Sequence, residues 1–513
     1  MTDDRNLARA AERALDRLGD FEQTLYEGRW YRYAAQADRA ARLGAALVEL
    51  GVKPGDRVVV MLENSPDVSV VYTAILRAGA AITPVIFLLG AEELHRVVSN
   101  SEASAIITSP AFLDRVRLAS EGVPSVRFIA CTGAPQDGTH SLDDLARHAR
   151  GSIVDRANDD LALLLYTGGT TGRSKGVMLS HSNVWQAGWA GHQLRQPELV
   201  RGIACLPLSH SYGVLGVAVG LHATQQFKSV LMKWFEPKLW LQLAQDHQLQ
   251  AGAMVPSMIY LLLQQPLEQY DLSELRLIGS GAAPLTAEAR EELKRRLPQI
   301  RVGEGYGLTE TCGSATSMRY DNIKPGTVGQ PVPGSELKIC SDAGVDLPVG
   351  EAGEICIRSG SVMLGYWNDP EQTKLAMRDG WLLTGDIGRL DAEGFVTIVD
   401  RKKDIIIRGG FNVYPRDVEE ALVEHPAVAG AAVIGRPDPI HGEEVVAFVV
   451  LRAGATATGE EIVAWARESL GGYKYPREVH VLPALPLTAV GKLDRKQLRA
   501  RLVAVEGAAV KPK

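Results

Sequence analysis

Short aliphatic and β-branched runs alternate with segments of helical period over roughly the first 300 residues, and this alternation restricts the fold more than any other feature. In one early example, Leu43, Leu47 and Leu50 share a helix face, Gly51 ends the helix, and residues 57–62 (RVVVML) read as a buried strand. Further buried strands are predicted at 105–108, 161–166, 202–206 and 275–279. Helices alternating with buried strands are typical of α/β layers with largely parallel sheets.

The pattern changes after about Lys324. Glycine-punctuated alternating segments at 334–340, 353–358 and 394–399 predict antiparallel strands, and we expect them to form a distorted β-barrel-like subdomain.

A charged cluster at 400–404 (DRKKD) precedes a third pattern. Helices are predicted near 417–424 and 460–470 and a strand near 445–451, which indicates a small α+β domain. We therefore predict a large N-terminal domain over residues 1–400 and a small C-terminal domain over residues 401–513, with a loose tail from Ala504.

Composition excludes several classes of protein. The formal net charge of −6 is too mild for a protein whose main partner is nucleic acid. Five cysteines without a CxxC pair disfavour a disulfide framework and a zinc cage. No signal peptide is recognised, and the uncharged stretch 78–91 is too short to span a bilayer. We expect a cytoplasmic protein without a membrane segment, and its oligomeric state, a homodimer included, stays open.

A glycine- and threonine-rich loop at 166–176 (YTGGTTGRSKG) directly follows a buried strand. Glycines let backbone N–H groups approach phosphate oxygens, while hydroxyls and Lys175 add donors and positive charge. The loop does not fit the P-loop template, because Ser174 and Gly176 flank the lysine. It predicts a polyphosphate site, with a solvated hairpin as the structural alternative.

A second glycine-rich segment, 279–284 (GSGAAP), approaches the dinucleotide-binding pattern GxGxxG. Pro284 takes the place of the last glycine and no dinucleotide-binding βαβ unit surrounds the segment, so a Rossmann site is rejected.

Eight motifs occur in one order along the chain: YTGGTTGRSKG (166–176), LPLSH (206–210), SGAAP (280–284), YGLTET (306–311), TGD (384–386), DR (400–401), GGFNVYP (409–415) and TAVGK (488–492). The ordered set resembles the adenylate-forming superfamily of acyl-CoA synthetases, nonribosomal adenylation domains and luciferases. The resemblance extends from about Tyr31 to Arg495.

The resemblance implies how the chain holds ATP. Gly168 and Ser174 depart from the usual Ser and Pro of the phosphate loop. Glu304 stands where Asn, Gln or Asp is usual and would accept the adenine amino proton, with a solvated loop carboxylate as the alternative. The β- and γ-phosphates would be held by Thr167, Gly169, Thr170, Thr171, Gly172 and Lys175, and adenine by Gly281, Ala282, Ala283 and the ring of Tyr306.

The resemblance also implies roles for four charged or hydroxyl side chains. Thr309 would bind the α-phosphate and Glu310 would bind Mg²⁺, although Thr-Glu alone is an ordinary helix N-cap pair. Asp386 and Arg401 would hold the ribose hydroxyls, with a salt bridge as the alternative.

Further family positions concern the reaction cycle. His210 matches the gate between the ATP site and the acyl pocket, with a structural histidine as the alternative. Lys492 matches the adenylation lysine rather than a solvated turn residue, and Lys403 matches the hinge. Gly409 and Gly410 match the glycines beside the pantetheine tunnel.

Small or apolar residues would line the acyl pocket by resemblance. Since no Arg or Lys is among them, a dicarboxylate substrate is disfavoured. They are Tyr212, Gly213, Val214, Met254, Val255 and Gly305, together with Ser211, Gly281, Gly303 and Cys312.

The implied activity is ATP- and Mg²⁺-dependent activation of a bulky apolar carboxylic acid to acyl-AMP, followed by transfer to coenzyme A. An acyl-AMP ligase that loads a carrier protein is one alternative. A standalone amino-acid-activating domain is another, but residues 209–215 offer no acidic anchor for an ammonium group. A noncatalytic acyl-nucleotide-binding relative should have lost Lys492 or Glu310, and both are present.

Overall fold

The computed structural model describes residues 4–167, 174–470, 472, 474–488 and 493–509, with the backbone alone for 503–509. The chain forms two compact units: unit 1 comprises Met1–Leu337 and Ile357–Leu382, and unit 2 comprises Lys338–Cys356 and Leu383–Lys513. The domain boundary predicted at residue 400, next to the predicted hinge residue Lys403, stays a prediction. Among the described residues, no helix is both long and apolar enough to cross a bilayer.

Helix starts follow local chemistry. The Asn6, Ser180 and Thr458 side chains accept hydrogen bonds from first-turn N–H groups. Five other helices begin with a proline: Pro66, Pro237, Pro256, Pro370 and Pro415. The helices are α1 (Leu7–Leu18), α2 (Tyr33–Glu49), α3 (Pro66–Arg77), α4 (Ala91–Asn100), α5 (Leu113–Ser120), α6 (Leu142–Leu145), α7 (His181–Gln193), α8 (Ser211–Gly220), α9 (Pro237–Asp246), α10 (Pro256–Leu263), α11 (Ala287–Arg296), α12 (Pro370–Ala376), α13 (Pro415–Val423), α14 (Gly459–Ser469) and α15 (Arg495–Ala509). The loose tail predicted from Ala504 is wrong as far as Ala509, because α15 continues to that residue; three alanines and Glu506 in this stretch favour the helix.

The strands are short and mostly buried. They are β1 (Glu22–Tyr26), β2 (Arg29–Arg32), β3 (Arg57–Met61), β4 (Ala81–Pro84), β5 (Ala105–Thr108), β6 (Phe128–Cys131), β7 (His140–Ser141), β8 (Leu161–Thr167), β9 (Lys175–Ser180), β10 (Arg201–Ala204), β11 (Lys228–Leu231), β12 (Ala251–Met254), β13 (Leu277–Ser280), β14 (Arg301–Tyr306), β15 (Thr316–Ser317), β16 (Gln330–Pro331), β17 (Ser335–Cys340), β18 (Gly353–Ser359), β19 (Gly365–Tyr366), β20 (Met377–Arg378), β21 (Trp381–Leu390), β22 (Val396–Arg401), β23 (Ile406–Arg408), β24 (Phe411–Val413), β25 (Val428–Asp438), β26 (Gly442–Leu451) and β27 (Glu478–Val481).

Two large sheets form the body of unit 1. One has the strand order β16-β15-β14-β13-β12-β10-β11-β1-β2, and the other has the order β19-β9-β8-β4-β3-β5-β6-β7. Pairs at the centre of each sheet are parallel, whereas strands near the edges, such as β2, β9 and β15, pair antiparallel. The predicted α/β fold with largely parallel sheets is therefore confirmed.

Parallel pairing in the first sheet brings three strand ends together. Met254 of β12 is in register with Ser280 of β13, and Ser280 is in register with Glu304 of β14. Buried side chains of this sheet and its helices, among them Trp240 and Leu293, make one hydrophobic core. In such sheets ligands bind beyond the carboxyl ends of the strands.

A third, five-stranded sheet has the order β17-β18-β21-β20, with β22 also paired to β21. Its pairs β20–β21 and β21–β22 are antiparallel, which confirms the antiparallel strand predicted at 394–399. The segments predicted at 334–340 and 353–358 form β17 and β18 of the same sheet. Asp386 lies on β21 and Arg401 on β22, and both residues belong to unit 2.

The last sheet, β24-β23-β26-β25 with β27 beside β26, belongs to unit 2. Side chains alternate along β26, so that Val445, Ala447 and Val449 join the core with α13 and α14. Val446 and Phe448 pack on the opposite face in the cluster that contains Leu498 and Leu502 of α15. This arrangement confirms the predicted small α+β structure.

Candidate active site

Thr167 and Lys175 face each other across the antiparallel pair β8–β9. Beside them, Ser174 Oγ donates a hydrogen bond to the Thr167 carbonyl oxygen over 2.6 Å. The two strands therefore hold both ends of the predicted phosphate loop. Its remaining predicted phosphate-binding residues, Gly169, Thr170, Thr171 and Gly172, lie outside the described residues, as does Gly168.

The Lys175 ammonium group is positioned by two residues from another part of the chain. Its Nζ donates to Gln372 Oε1 of α12 over 2.6 Å and lies 4.8 Å from the centroid of the Tyr366 ring. A cation over an aromatic face is attracted by the ring quadrupole. Tyr366 reaches this position because β19 pairs with β9.

The same tyrosine contacts the predicted metal ligand. Tyr366 Oη donates to Glu310 Oε1 over 2.8 Å, and the Glu310 carbonyl oxygen accepts from the Met363 N–H over 2.8 Å. Tyr366 is 8% exposed, and burial together with the Glu310 carboxylate raises the pKa of its phenol, so the hydroxyl stays a donor. One buried side chain thus links a carboxylate to a lysine.

Thr309 and Glu310 lie in a 3-10 helix, Thr309–Thr311, that follows β14. Cys312 ends this turn with a left-handed φ of 54°, and Gly313 follows with φ 86°. A Cβ on Gly313 would lie 2.9 Å from the Ser211 carbonyl oxygen, so this glycine permits close packing of the turn against the start of α8.

The segment predicted to flank adenine follows directly from the end of β13. Ala282 has a left-handed φ of 68°, which is uncommon for a residue with a side chain. Tyr306 is the last residue of β14, the parallel neighbour of β13. Both predicted adenine contacts therefore lie at the carboxyl ends of neighbouring strands.

Glu304 differs from the solvated loop carboxylate considered above. It lies within β14, is buried, and forms an ion pair with Arg290 of α11. Its second oxygen accepts from the Leu285 N–H over 3.3 Å. The solvated alternative is therefore wrong, because helix α11 covers this strand; the contact with adenine stays a prediction.

The predicted acyl-pocket residues come together partly at the same sheet edge. A Cβ on Gly281 would lie 3.3 Å from both the Gly305 carbonyl oxygen and Tyr212 Cε1. Met254 is fully buried at the end of β12, and Val255 is the N-cap residue that precedes α10. The Tyr212 ring therefore lies close to the backbone of Gly281, where a larger residue would crowd it.

Gly213 and Val214 have packing partners of their own. A Cβ on Gly213 would lie 2.2 Å from the Pro207 carbonyl oxygen, so glycine is required for α8 to pack against the preceding segment. Val214 is buried. The structure thus gives Gly213 a packing role, and its place in the pocket stays a prediction.

His210 caps α8 and its Nδ1 accepts the Tyr212 N–H over 3.3 Å. The segment before it is held by Asn64, whose side chain accepts from the Leu208 N–H over 2.8 Å and donates to the Leu206 carbonyl oxygen over 2.9 Å. Asn64 is buried and positions the predicted gate, although no motif contains it.

Thiol nucleophiles are disfavoured in this part of unit 1. Burial raises the pKa of Cys312 to about 12 and that of Cys205 to about 12. Burial likewise raises the pKa of Tyr212 to about 12. These three groups are therefore neutral at physiological pH, which disfavours them as nucleophiles.

In unit 2, the two predicted ribose-binding residues are neighbours. Asp386 and Arg401 are in register on β21 and β22, and Arg401 Nε lies 3.4 Å from Asp386 Oδ1. The carboxylate is buried and the guanidinium half-exposed, so a donor and an acceptor are presented side by side. Both the salt bridge and the capacity to hold a diol are consistent with this geometry.

Gly409 and Gly410 form the two-residue turn between β23 and β24, with φ values of 57° and 83°. A two-residue hairpin of this kind needs φ > 0 at both positions, which favours glycine. Within the described residues, nothing lies within 4 Å of a Cβ built on Gly410. The positive φ values of the turn thus explain why glycine occupies both positions, independently of any access to a pantetheine tunnel.

Lys403 is the central residue of a 3-10 helix, Lys402–Asp404. Its neighbour Lys402 contacts Glu354 over 2.9 Å and Asp342 over 2.8 Å, which ties one side of the predicted hinge to unit 2. Lys492 lies outside the described residues; a bridge between Leu487 and Leu493 flanks its segment.

Sequence reasoning missed Tyr366, Gln372 and Asn64. Tyr366 is 56 residues from Glu310, and Gln372 is 197 residues from Lys175, so no local spacing reveals these partners. The short segment GYWND (365–369) was the one available signal, a glycine and aromatic residues in an otherwise polar connection.

Two family models match long stretches of the chain. The model of the AMP-binding enzyme family matches residues 11–367, and that of the AMP-binding enzyme C-terminal domain matches residues 417–492. The chain is 36% identical to the long-chain-fatty-acid–CoA ligase of Bacillus subtilis, covering 90% of this chain and 88% of that one. It is 37% identical to 4-coumarate–CoA ligase-like 9 of Oryza sativa subsp. japonica, covering 93% and 88%.

Among solved structures, ATP-bound MatB from Rhodopseudomonas palustris superimposes with a TM-score of 0.88 at 34% identity, covering 96% of this chain and 98% of that one. The family model spans well over half of the chain, and the two relatives are more than a third identical over at least nine-tenths of it. The chain therefore belongs to the AMP-binding enzyme family, within the adenylate-forming superfamily that includes the acyl-CoA synthetases.

Proposed function

We propose that this AMP-forming acid–CoA ligase activates a bulky apolar monocarboxylic acid with MgATP and transfers the acyl group to coenzyme A. The observation that carries the proposal is the buried Tyr366, which holds Glu310 through its hydroxyl and faces Lys175 with its ring. A carboxylate and a cation held by one rigid side chain beside a glycine-rich loop suit a metal-bound triphosphate.

A carboxylate reacts poorly as an acyl donor because its carbon is shielded by negative charge and oxide is a poor leaving group. Attack on the α-phosphorus of ATP makes acyl-AMP, whose leaving group is a phosphate monoester, and releases pyrophosphate. Lys175 and Lys492 would reduce charge repulsion during this attack, and Asp386 with Arg401 would hold the ribose. Catalysis of this kind consists of positioning and charge stabilisation.

The donor set around Glu310 fits Mg²⁺. This hard cation prefers carboxylate and phosphate oxygens. Glu310 Oε1 accepts from Tyr366, while Oε2 accepts no hydrogen bond from any residue in the described ranges. Mg²⁺ would neutralise phosphate charge when bound, and the chain's own contribution is to hold the Glu310 carboxylate ready.

The apolar acid is supported by the residues around Tyr212 and by the relatives. Tyr212, Met254 and Gly305 offer no charge that could pair with a second carboxylate. The two relatives are named for a long-chain fatty acid and for 4-coumarate, both of which carry a large apolar body.

The substrate class gives the first prediction. Over a panel of acids with ATP and Mg²⁺, medium- or long-chain, alicyclic or aromatic acids should exceed acetate and malonate in kcat/KM. Each buried CH₂ is worth about 0.8 kcal/mol, so three additional CH₂ groups would raise kcat/KM roughly 50-fold. If acetate exceeds every larger acid, the pocket assignment is wrong.

The same panel tests the reaction. Pyrophosphate release is measured without an acceptor, with coenzyme A and with an acyl-carrier protein. We expect thioester formation with coenzyme A. Thioester formation with the carrier protein alone would instead identify an acyl-AMP ligase, and activation of amino acids alone would identify an adenylation domain.

Tyr366 gives a second prediction. Tyr366→Phe keeps the ring over Lys175 and removes the hydroxyl that holds Glu310, so the Mg²⁺ concentration for half-maximal pyrophosphate release should rise about 10-fold, as for other residues that orient a metal ligand. Saturating Mg²⁺ should restore most of the rate.

Tyr366→Leu provides the comparison, since it also removes the aromatic face and should raise the KM for ATP through Lys175. An unchanged Mg²⁺ dependence in Tyr366→Phe would show that the hydrogen bond to Glu310 has no part in metal binding.

The two half-reactions would use the two domains predicted from the sequence. Residues 1–400 would bind ATP and the acid, and residues 401–513 would rotate about Lys403 between the two half-reactions. The five cysteines are buried and unpaired, which supports a reducing, cytoplasmic location.

A further inference from the structure

Asp438, the last residue of β25, and His441, in the turn before β26, have an arrangement that is typical of an oriented base. Asp438 Oδ1 lies 3.2 Å from His441 Nδ1 and also accepts the N–H groups of Ile440 (3.0 Å) and His441 (2.7 Å). These backbone hydrogen bonds lower the pKa of Asp438, so its carboxylate is ionised and Nδ1 is the donor. With the proton on Nδ1, the lone pair of the imidazole is on Nε2.

The other ring nitrogen is available. His441 Nε2 makes no hydrogen bond to any residue that the structure describes, and the side chain is 37% exposed. A base needs an accessible lone pair and a fixed ring, and the Asp438 contact supplies the second of these conditions.

The ring lies beside the glycine turn of unit 2. The His441 carbonyl oxygen accepts the Gly409 N–H over 2.7 Å, and His441 Cδ2 lies 3.8 Å from the position of a Cβ on Gly409. Since Cδ2 is bonded to Nε2, the unprotonated nitrogen is on the side of the ring near the turn.

Charged groups around the ring favour a proton acceptor over a metal ligand. Glu444 Oε2 lies 4.0 Å from His441 Nδ1, but Arg408 binds both Glu444 oxygens over 2.6 and 3.0 Å. The neighbouring Glu443 carboxylate accepts the Ile407 N–H over 2.7 Å. A guanidinium group already neutralises Glu444, so the Asp438, His441 and Glu444 cluster is poorly suited to a cation.

We propose that His441, oriented by Asp438, accepts the thiol proton of coenzyme A in the thioester half-reaction. The proposal rests on the proposed function and on the resemblance by which Gly409 and Gly410 match the glycines beside the pantetheine tunnel. The S–H bond breaks as its proton passes to Nε2, sulfur bonds to the acyl carbon of acyl-AMP, and the bond from that carbon to the phosphate oxygen breaks. AMP leaves with the electron pair, and the imidazolium releases its proton to water.

A base is useful here because a free thiol has a pKa of about 8.5 and is only about 3% thiolate at pH 7. The test supplies acyl-AMP and coenzyme A and follows thioester formation from pH 6.5 to 9 for wild type, His441→Ala, His441→Gln and Asp438→Asn. Both His441 variants should be at least about 10-fold slower at pH 7, and their deficit should shrink towards pH 9 as thiolate forms unaided. Asp438→Asn should show a smaller deficit.

His148→Ala is the matched control, since that histidine is similarly exposed, at 38%, and no role is assigned to it. It should follow the wild-type pH profile. Wild-type rates in the His441 variants, or a loss by the same factor at every pH, would overturn the proposal, because a structural role does not depend on thiol ionisation. Absence of thioester from the wild type at every pH would instead overturn the proposed acceptor, coenzyme A.

Discussion

Replacing Glu310 by alanine should nearly abolish pyrophosphate release, with a loss of about 10²- to 10³-fold or more. The mutation removes the carboxylate that would anchor the metal on the triphosphate. The side chain is only partly buried, and its backbone contact with Met363 is retained, so the 3-10 turn should still form. The measurement is single-turnover pyrophosphate release at several Mg²⁺ concentrations.

Tyr366→Phe is the control for this result, because it removes the same hydrogen bond and leaves the Glu310 carboxylate in place. Its defect should be overcome by added Mg²⁺, whereas that of Glu310→Ala should not. Wild-type turnover in Glu310→Ala would remove this residue from the metal role.

Lys492→Ala should separate the half-reactions. Loss of a cation that acts on the adenylation transition state costs about 2.7–4 kcal/mol by analogy with the loss of an oxyanion donor, or roughly 10²- to 10³-fold in rate. Acyl-AMP should therefore form slowly, while supplied acyl-AMP and coenzyme A should still give thioester, since rotation of the small domain would by then have moved Lys492 away.

Lys403→Pro should show the reverse pattern. Proline fixes φ near −65°, a value within the range of the 3-10 helix that contains Lys403, so the local structure should tolerate it while the swing is restricted. Both half-reactions are measured separately in each mutant. Equal loss of both in the two mutants would show that domain alternation does not link them.

Much of the fold could be predicted because its signals are local. The run 57–62 contains β3, and the predicted strand 105–108 matches β5 to the residue, because buried parallel strands are written as continuous apolar runs. The ends of strands are encoded less locally: the run 275–279 predicts a strand, whereas β13 is Leu277–Ser280. Strand ends depend on pairing with β12 and β14, which a single segment does not encode.

The candidate site was predicted less completely. The ordered motifs identify Lys175, Glu310, Asp386 and Arg401, and the structure places the last two in register. No motif contains Tyr366 or Asn64. Each forms hydrogen bonds with a segment that is distant in sequence, so local spacing does not reveal it. For Glu304, the alternative of a solvated loop carboxylate fails because the residue lies buried in β14 and pairs with Arg290 of α11.

The sequence by itself determined the α/β class, the order of the motifs and the family, since hydrophobic period and motif spacing are properties of neighbouring residues. Only the tertiary structure decided which side chains hold the motif residues in place. Tyr366 reaches both Lys175 and Glu310 because β19 pairs with β9, and His441 reaches Gly409 because Arg408 of β23 pairs with Gly442 of β26. Hydrogen bonds and ring contacts of this kind depend on ångström-scale distances, and only the packed sheets bring such distant residues that close.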